Sequence, residues 1–257
     1  MATDLDSMGK LRGKIELTLH SYHATRLWYG RGVSTGKPQI IGCRQFLLLA
    51  GRIQQSAARD DPYADYWMLR IDERADKAKE ALDERQADVK HLLHAIPPEL
   101  SIAENINQQP LVTPVYTGGP QGWQAVMLLI GFDRLVRDVL MLQHIAMMSR
   151  DTGAAAIESV RKRLLGLFSE PKRYPGHSGS TRDDHAANNA RARDAVAKYG
   201  ELPEDVLRGE RRSPWAPVIR QRSGSDALEQ QSGPVTAQVE GGSVATGNGT
   251  DDSTADS

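Results

Sequence analysis

Lys14-Ile15-Glu16-Leu17-Thr18-Leu19-His20 alternates apolar and polar residues one for one, which is the period of a β-strand. Such a strand turns Ile15, Leu17 and Leu19 toward a core and leaves Lys14, Glu16, Thr18 and His20 on the other face. After it, apolar residues recur mostly at three- and four-residue steps, so the class is mainly α with one short strand. A lone strand leaves its backbone donors and acceptors unpaired, an edge that proteins avoid exposing. The expectation is therefore pairing with the same strand of a second molecule, which makes a two-fold antiparallel ribbon of a width that the DNA major groove admits. Pairing inside the chain with the extended pieces Leu111-Val112-Thr113 and Val115-Tyr116 is the alternative.

Working outward, the surrounding residues 10–59 carry charge of almost one sign. Lys10, Arg12, Lys14, Arg26, Arg31, Lys37, Arg44, Arg52 and Arg59 stand against the single acid Glu16, while the whole chain has a net charge of −1. A strand and helices that are basic throughout point to nucleic acid as partner. The balancing acids lie elsewhere. Residues 223–257 hold Asp226, Glu229, Glu240, Asp251, Asp252 and Asp256 without a single Lys, Arg or aromatic residue. A segment of that composition buries too little apolar surface to offset the entropy of ordering, so disorder is expected for 220–257 and for the short polar stretch 1–9.

The helical expectations follow from caps and breakers. Ser21 caps a short helix over 22–29, and Gly30, Gly32, Gly36 and Pro38 break the chain after it. A second helix covers 42–58. Asp60-Asp61-Pro62 supplies an acidic cap with proline in the first turn, opening a long amphipathic helix to about 96. The most apolar helix spans 122–149, another runs from Thr152 or Gly153 to Phe168, and Thr181-Arg182-Asp183-Asp184 resembles a capping box for a helix reaching 199. A last turn covers 202–207, and Trp215 is expected to tuck back onto the core. The division expected is a basic module over 10–59 and a helical domain over 60–219.

Several functions fall away on inspection. The single Cys43 rules out an internal disulfide, and no apolar run of a secretory signal opens the chain. The apolar stretch 123–148 is interrupted by Asp133, Arg134, Arg137 and Asp138, which a membrane span rarely accepts. A cytoplasmic protein with no membrane partner is expected. Gly32-Val33-Ser34-Thr35-Gly36-Lys37-Pro38 has Arg31 and Pro38 where a nucleotide-binding P-loop needs glycine and a hydroxyl residue. A basic loop leading into a helix N-terminus still suits a DNA phosphate. The pairs His20/His23 and His91/His94 lack further metal ligands, and Cys43 reads as a small apolar residue. No catalytic constellation appears, so neither an enzyme nor a cofactor is expected.

Leu17-Thr18-Leu19-His20, His23-Ala24-Thr25-Arg26-Leu27-Trp28-Tyr29-Gly30-Arg31 and Asp60-Asp61-Pro62-Tyr63-Ala64-Asp65-Tyr66-Trp67 resemble the integrating conjugative element proteins grouped with the AcaB-like transcriptional regulators. Ile40-Ile41-Gly42, Phe46, the stretch from Thr181 to Arg193 with its Asn188-Asn189-Ala190-Arg191-Ala192, and Gly200 to Leu207 extend the likeness to about residue 219. The resemblance implies a ribbon-helix-helix-like N-terminal module and a regulator, an activator by analogy, of element transfer genes. On that reading Lys14, Glu16, Thr18 and His20 face the bases, while Arg31, Lys37, Arg44 and the backbone near Gly42 hold phosphates. Partners would be double-stranded DNA, a second copy in a homodimer, and RNA polymerase or another element-encoded protein. The competing expectation is a non-enzymatic accessory protein of the conjugation machinery whose basic face holds an acidic partner.

Overall fold

The computed structural model describes Gly13, residues 15–32, Gly36 and residues 38–218. Lys14, Lys37 and the segments 1–9 and 220–257 lie outside the described residues. By contacts the chain divides into Met1–Arg220 and Gln221–Ser257, and every described residue belongs to the first unit.

Strand β1 (Glu16–Leu19) has its partner inside the chain. It pairs antiparallel with β4 (Leu111–Pro114), matching Glu16 with Pro114, Leu17 with Thr113, Thr18 with Val112 and Leu19 with Leu111. The Val115 amide adds a bond to the Ile15 carbonyl at 2.9 Å. This corrects the expected pairing across a dimer. A strand needs some ladder, and the unpatterned stretch after the long helix returns close enough to supply it. Parity holds for the core of the strand, since Leu17 and Leu19 are buried while Glu16 and Thr18 are exposed. Ile15 departs from it and is 51% exposed, because it precedes the strand and nothing covers it there.

Helix α1 (Tyr22–Tyr29) begins where sequence puts it. The Ser21 hydroxyl accepts from the Ala24 amide, and Ala24, Leu27 and Trp28 face inward. A cap from far away reinforces this one: the buried Asp133 carboxylate accepts from the Ser21 amide at 2.7 Å and the His20 amide at 3.2 Å. A short hairpin follows, β2 (Gly30–Arg31) antiparallel to β3 (Ile40–Ile41), and leads into α2 (Cys43–Ala57). Two glycines make that hairpin possible. Gly30 has φ +71°, and a Cβ on Gly42 would sit 2.4–2.5 Å from backbone atoms of Trp28, Tyr29 and Gly30.

Helix α3 (Pro62–His94) starts at Asp61, whose side chain accepts from the Tyr63 and Ala64 amides, with proline in the first turn. It packs against α4 (Pro120–His144) and α5 (Arg150–Ser169), and α2 lies across all three. Phe46 of α2 meets Phe168 of α5 with ring centroids 5.7 Å apart. One hydrophobic core runs from Leu17 and Leu19 through Phe46, Met68, Ile71, Leu129, Phe132 and Leu164, so β1, α1 and α2 share it with the later helices.

The C-terminal part departs most from expectation. Helix α4 stops at His144, and Ser149 caps α5 by accepting from the Thr152 amide, so the long apolar run contains a turn with Ala146 at φ +59°. A short 3-10 turn (Glu170–Arg173) follows α5. The polar helix expected over 181–199 is two helices, α6 (Arg182–Ala186) and α7 (Ala190–Tyr199). Asn188 at φ +47° breaks it and Asn189 caps the second piece, roles that asparagine fills more readily than most residues. The Thr181/Asp184 capping box is present, with both reciprocal bonds. Helix α8 (Glu204–Leu207) is the last helix among the described residues, and Trp215 stays 45% exposed rather than tucked away. Among the described residues no helix is long and apolar enough to cross a membrane.

Candidate nucleic-acid interface

From Leu17 to Arg59 the sequence contains no Asp or Glu. Folding sorts that stretch into buried apolar faces and exposed basic ones. On α1 the outward positions are Tyr22, His23, Arg26 and Tyr29, which follow one another at helical spacing. On α2 they are Arg44, Gln45, Leu48, Arg52 and Gln55, with Arg59 just beyond the helix. The opposite stripe of α2, from Cys43 and Phe46 to Ile53 and Ala57, is in the core. The result is two short surfaces of guanidinium, amide and aromatic groups, the residue types that grip phosphates and stack on or bond to bases.

Arg31 and Arg26 rest on neutral partners. Arg31 donates to the Pro38 carbonyl at 3.2 and 3.0 Å, and Arg26 donates to the Tyr22 hydroxyl at 3.2 Å with its guanidinium over the ring. Among the described residues no carboxylate forms an ion pair with Arg26, Arg31, Arg44 or Arg52. The contrast with the C-terminal part is sharp. There Asp65, fully buried, accepts from Arg182 and from Arg212 at 2.7 Å, Arg182 also grips Asp60, and Glu170 holds Arg70 at 2.6 Å. Those arginines are neutralised parts of the scaffold.

The residues named from sequence are scattered over this geometry. Glu16 and Thr18 project from the outer side of the β1–β4 pair, next to Val112 and Pro114. His20 sits just past β1 and is engaged: its Nδ1 accepts from the Asn107 amide at 3.3 Å, and its carbonyl accepts from the Asn107 side chain at 3.2 Å. Arg31 lies on the hairpin and Arg44 is exposed in the first turn of α2. Gly42, the N-cap of α2, is buried against Gly30, so close backbone approach accounts for the glycine. Lys14 and Lys37 lie outside the described residues.

Sequence reasoning passed over Tyr22, His23 and Tyr29 as surface groups, although their three- to four-residue spacing around Arg26 was visible. Arg161 of α5 carried no signal of its own. It comes alongside His23, whose pKa is lowered by partial burial, then by the Arg161 charge, against the pull of Glu158. Cys43 is buried and its thiol is pushed up by desolvation, consistent with an inert packing role. No group of three or more His, Cys, Asp or Glu able to hold a metal occurs among the described residues.

Comparison with known proteins adds a family. Residues 7–220 match the family model described as transcriptional regulator AcaB. No curated protein matches the chain. A crystal structure of selenomethionine-containing AcaB from uropathogenic E. coli is similar at 17% identity and a TM-score of 0.49, over 77% of this chain and 95% of that one.

Proposed function

Because the chain belongs to the AcaB family of transcriptional regulators, we propose that it regulates transcription by binding double-stranded DNA through the exposed faces of α1 and α2. The observation that carries this reading is the acid-free stretch from Leu17 to Arg59, folded so that Arg26, Arg31, Arg44 and Arg52 face solvent or half-face it, without a carboxylate counter-ion among the described residues. Arginine in that state lowers the cost of bringing phosphates near and releases counterions from DNA. The order of strand, helix and helix is that of a ribbon-helix-helix module, with a hairpin set between the helices. Since β1 pairs in cis with β4, base reading passes here from the strand to the helix faces, with Gln45, Arg52 and Gln55 as the groups able to bond base edges.

Control of conjugative-element transfer genes, in the sense of activation, is the role that fits the family likeness, with a second copy of the chain and RNA polymerase as the associated partners. Fluorescence anisotropy with a duplex from such a promoter and a scrambled duplex of equal length tests the proposal. We expect tighter binding of the promoter duplex, and a gap between the two that narrows by about 1–3 kcal/mol in Gln45→Ala or Arg52→Ala if either reads a base. Equal and salt-insensitive affinity for both duplexes would contradict it.

A further inference from the structure

Helix α1, the β2–β3 hairpin and α5 enclose a cleft of about 360 Å³. That is within the range of small-ligand sites, at its lower end. Its floor is apolar, from Leu27, Ile40 and Leu165, and its rim is cationic, from His23, Arg26, Arg31 and Arg161. Glu158, bonded to Arg161 through both carboxylate oxygens at 2.5 and 2.8 Å, is the acid paired with this group among the described residues. Three guanidinium charges therefore face one carboxylate before His23 takes a proton. The arginines are also held in place: Arg31 by the Pro38 carbonyl, Arg26 by the hydroxyl and ring of Tyr22. Both partners are neutral, so they fix the forks without cancelling the charge. Held and like-charged, with Arg31 and Arg161 half-buried, these donors are in a state that an anion relieves.

We propose that this cleft binds a phosphoryl group. A dianion matches the surplus of two positive charges, and its three oxygens suit guanidinium forks arriving from two helices and a hairpin. A single carboxylate would leave charge and donors unmet. Two sources are available: the backbone of bound DNA, where two neighbouring monoanionic diesters together supply the charge, or a free nucleotide, whose terminal phosphate is itself the dianion. Only the first rests on the function proposed above. In that case α5 joins the basic N-terminal segment in gripping the duplex. The apolar floor under the cations also suits a nucleotide base or sugar lying in the second.

The test uses the full chain in chloride buffer at constant ionic strength, titrated calorimetrically with inorganic phosphate, pyrophosphate and sulfate. Saturable binding is expected, weakened about tenfold or more by Arg161→Met and by Arg26→Met, with circular dichroism confirming the fold of each. Glu158→Gln should tighten it. Sulfate keeps its charge between pH 7.5 and 5.5, so its affinity should rise as pH falls and His23 protonates. The groups facing that imidazole are Arg26 and Tyr22 of α1, Arg31 of the hairpin, and Arg161 and Glu158 of α5. His23→Asn should flatten the profile. Displacement of phosphate by a DNA duplex assigns the backbone as source. Tighter binding of a mononucleotide that the duplex does not displace assigns the free ligand. Absence of saturable binding by all three anions, or binding that both arginine variants leave unchanged, overturns the proposal. Should DNA fail to bind, or bind with an affinity that Arg44→Ala and Arg52→Ala leave intact, while phosphate still saturates the cleft, the DNA-binding surface proposed above fails and the site stands.

Discussion

Asp61 and Asp65, both fully buried, tie the start of α3 to chain more than a hundred residues away. Asp61 caps its helix and also accepts from the Ser178 amide and hydroxyl, each at 2.8 Å, and from the Tyr174 hydroxyl at 3.5 Å, while the His177 imidazole stands at 2.9 Å. Asp65 joins Arg182 and Arg212. Taking one partner from such a buried set leaves charge uncompensated, at a cost of about 3–5 kcal/mol. Asp65→Ala should lower urea stability by that order, and a change under about 1 kcal/mol would show that the arginines find water instead. His185 gives a pH signature. Burial pushes His185 below its ordinary range, against the opposing charges of Asp184 and Asp61. A folded pKa below the unfolded value means that the unfolded chain binds the proton better. Stability contributed by neutral His185 is thus complete above about pH 6.5 and lost as pH falls toward the folded value. Replacing His185 with Gln should flatten the fall in thermal midpoint between pH 7 and 5, and an unchanged slope would contradict the assignment.

At the scale of elements, the caps were legible and the partners were not. Ser21, Asp61 and Thr181 signal their helices within four residues, so 22–29 and the starts of α3 and α6 could be read directly. The partner of β1 lies about ninety residues on, in a stretch without period, and its discovery depends on how α3 and α4 pack. Arg182 and Arg212, too, are distant from the aspartates they serve, which is why Asp60-Asp61 read as caps alone. The cis pairing is directly testable. Thr18 and Val112 face each other across β1 and β4, both exposed, and Cys43 is buried. The double variant Thr18→Cys, Val112→Cys should oxidise to a monomer-sized species, as directly opposed Cβ atoms lie within about 5.5 Å. Covalent dimers in its place would restore the ribbon between molecules. The hairpin offers a second check. Gly42→Ala forces a Cβ into backbone at Trp28 and Gly30, with no flexible side chain to yield. A loss of about 1–3 kcal/mol or more in denaturant unfolding is expected, and a neutral substitution would mean that the turn is looser than this packing.

For the whole molecule, charge is divided by position in the chain. The stretch from Leu17 to Arg59 presents arginines without acids, whereas α3 mixes both signs along its exposed side, as in the Lys79–Asp83 pair at 2.5 Å. A net charge of −1 conceals that separation, and only the local count shows it. Arg31 and Arg44 of the candidate surface were legible in the basic segment, whereas the outward Tyr22, His23, Gln45 and Gln55 were not, because alternation drew the reading to β1. The central claim, that α1 and α2 carry the DNA, is tested most directly by the salt dependence of affinity for one duplex. The logarithm of the binding constant is followed against the logarithm of salt concentration for the parent chain, Arg44→Ala, Arg52→Ala and the α3 control Lys77→Ala. Each phosphate contact removed lowers the slope by about one unit. The α2 variants should each lose about that much while Lys77→Ala keeps the parental slope. Parental slopes in both α2 variants, with a reduced slope in Lys77→Ala, would place the DNA on another face of the protein.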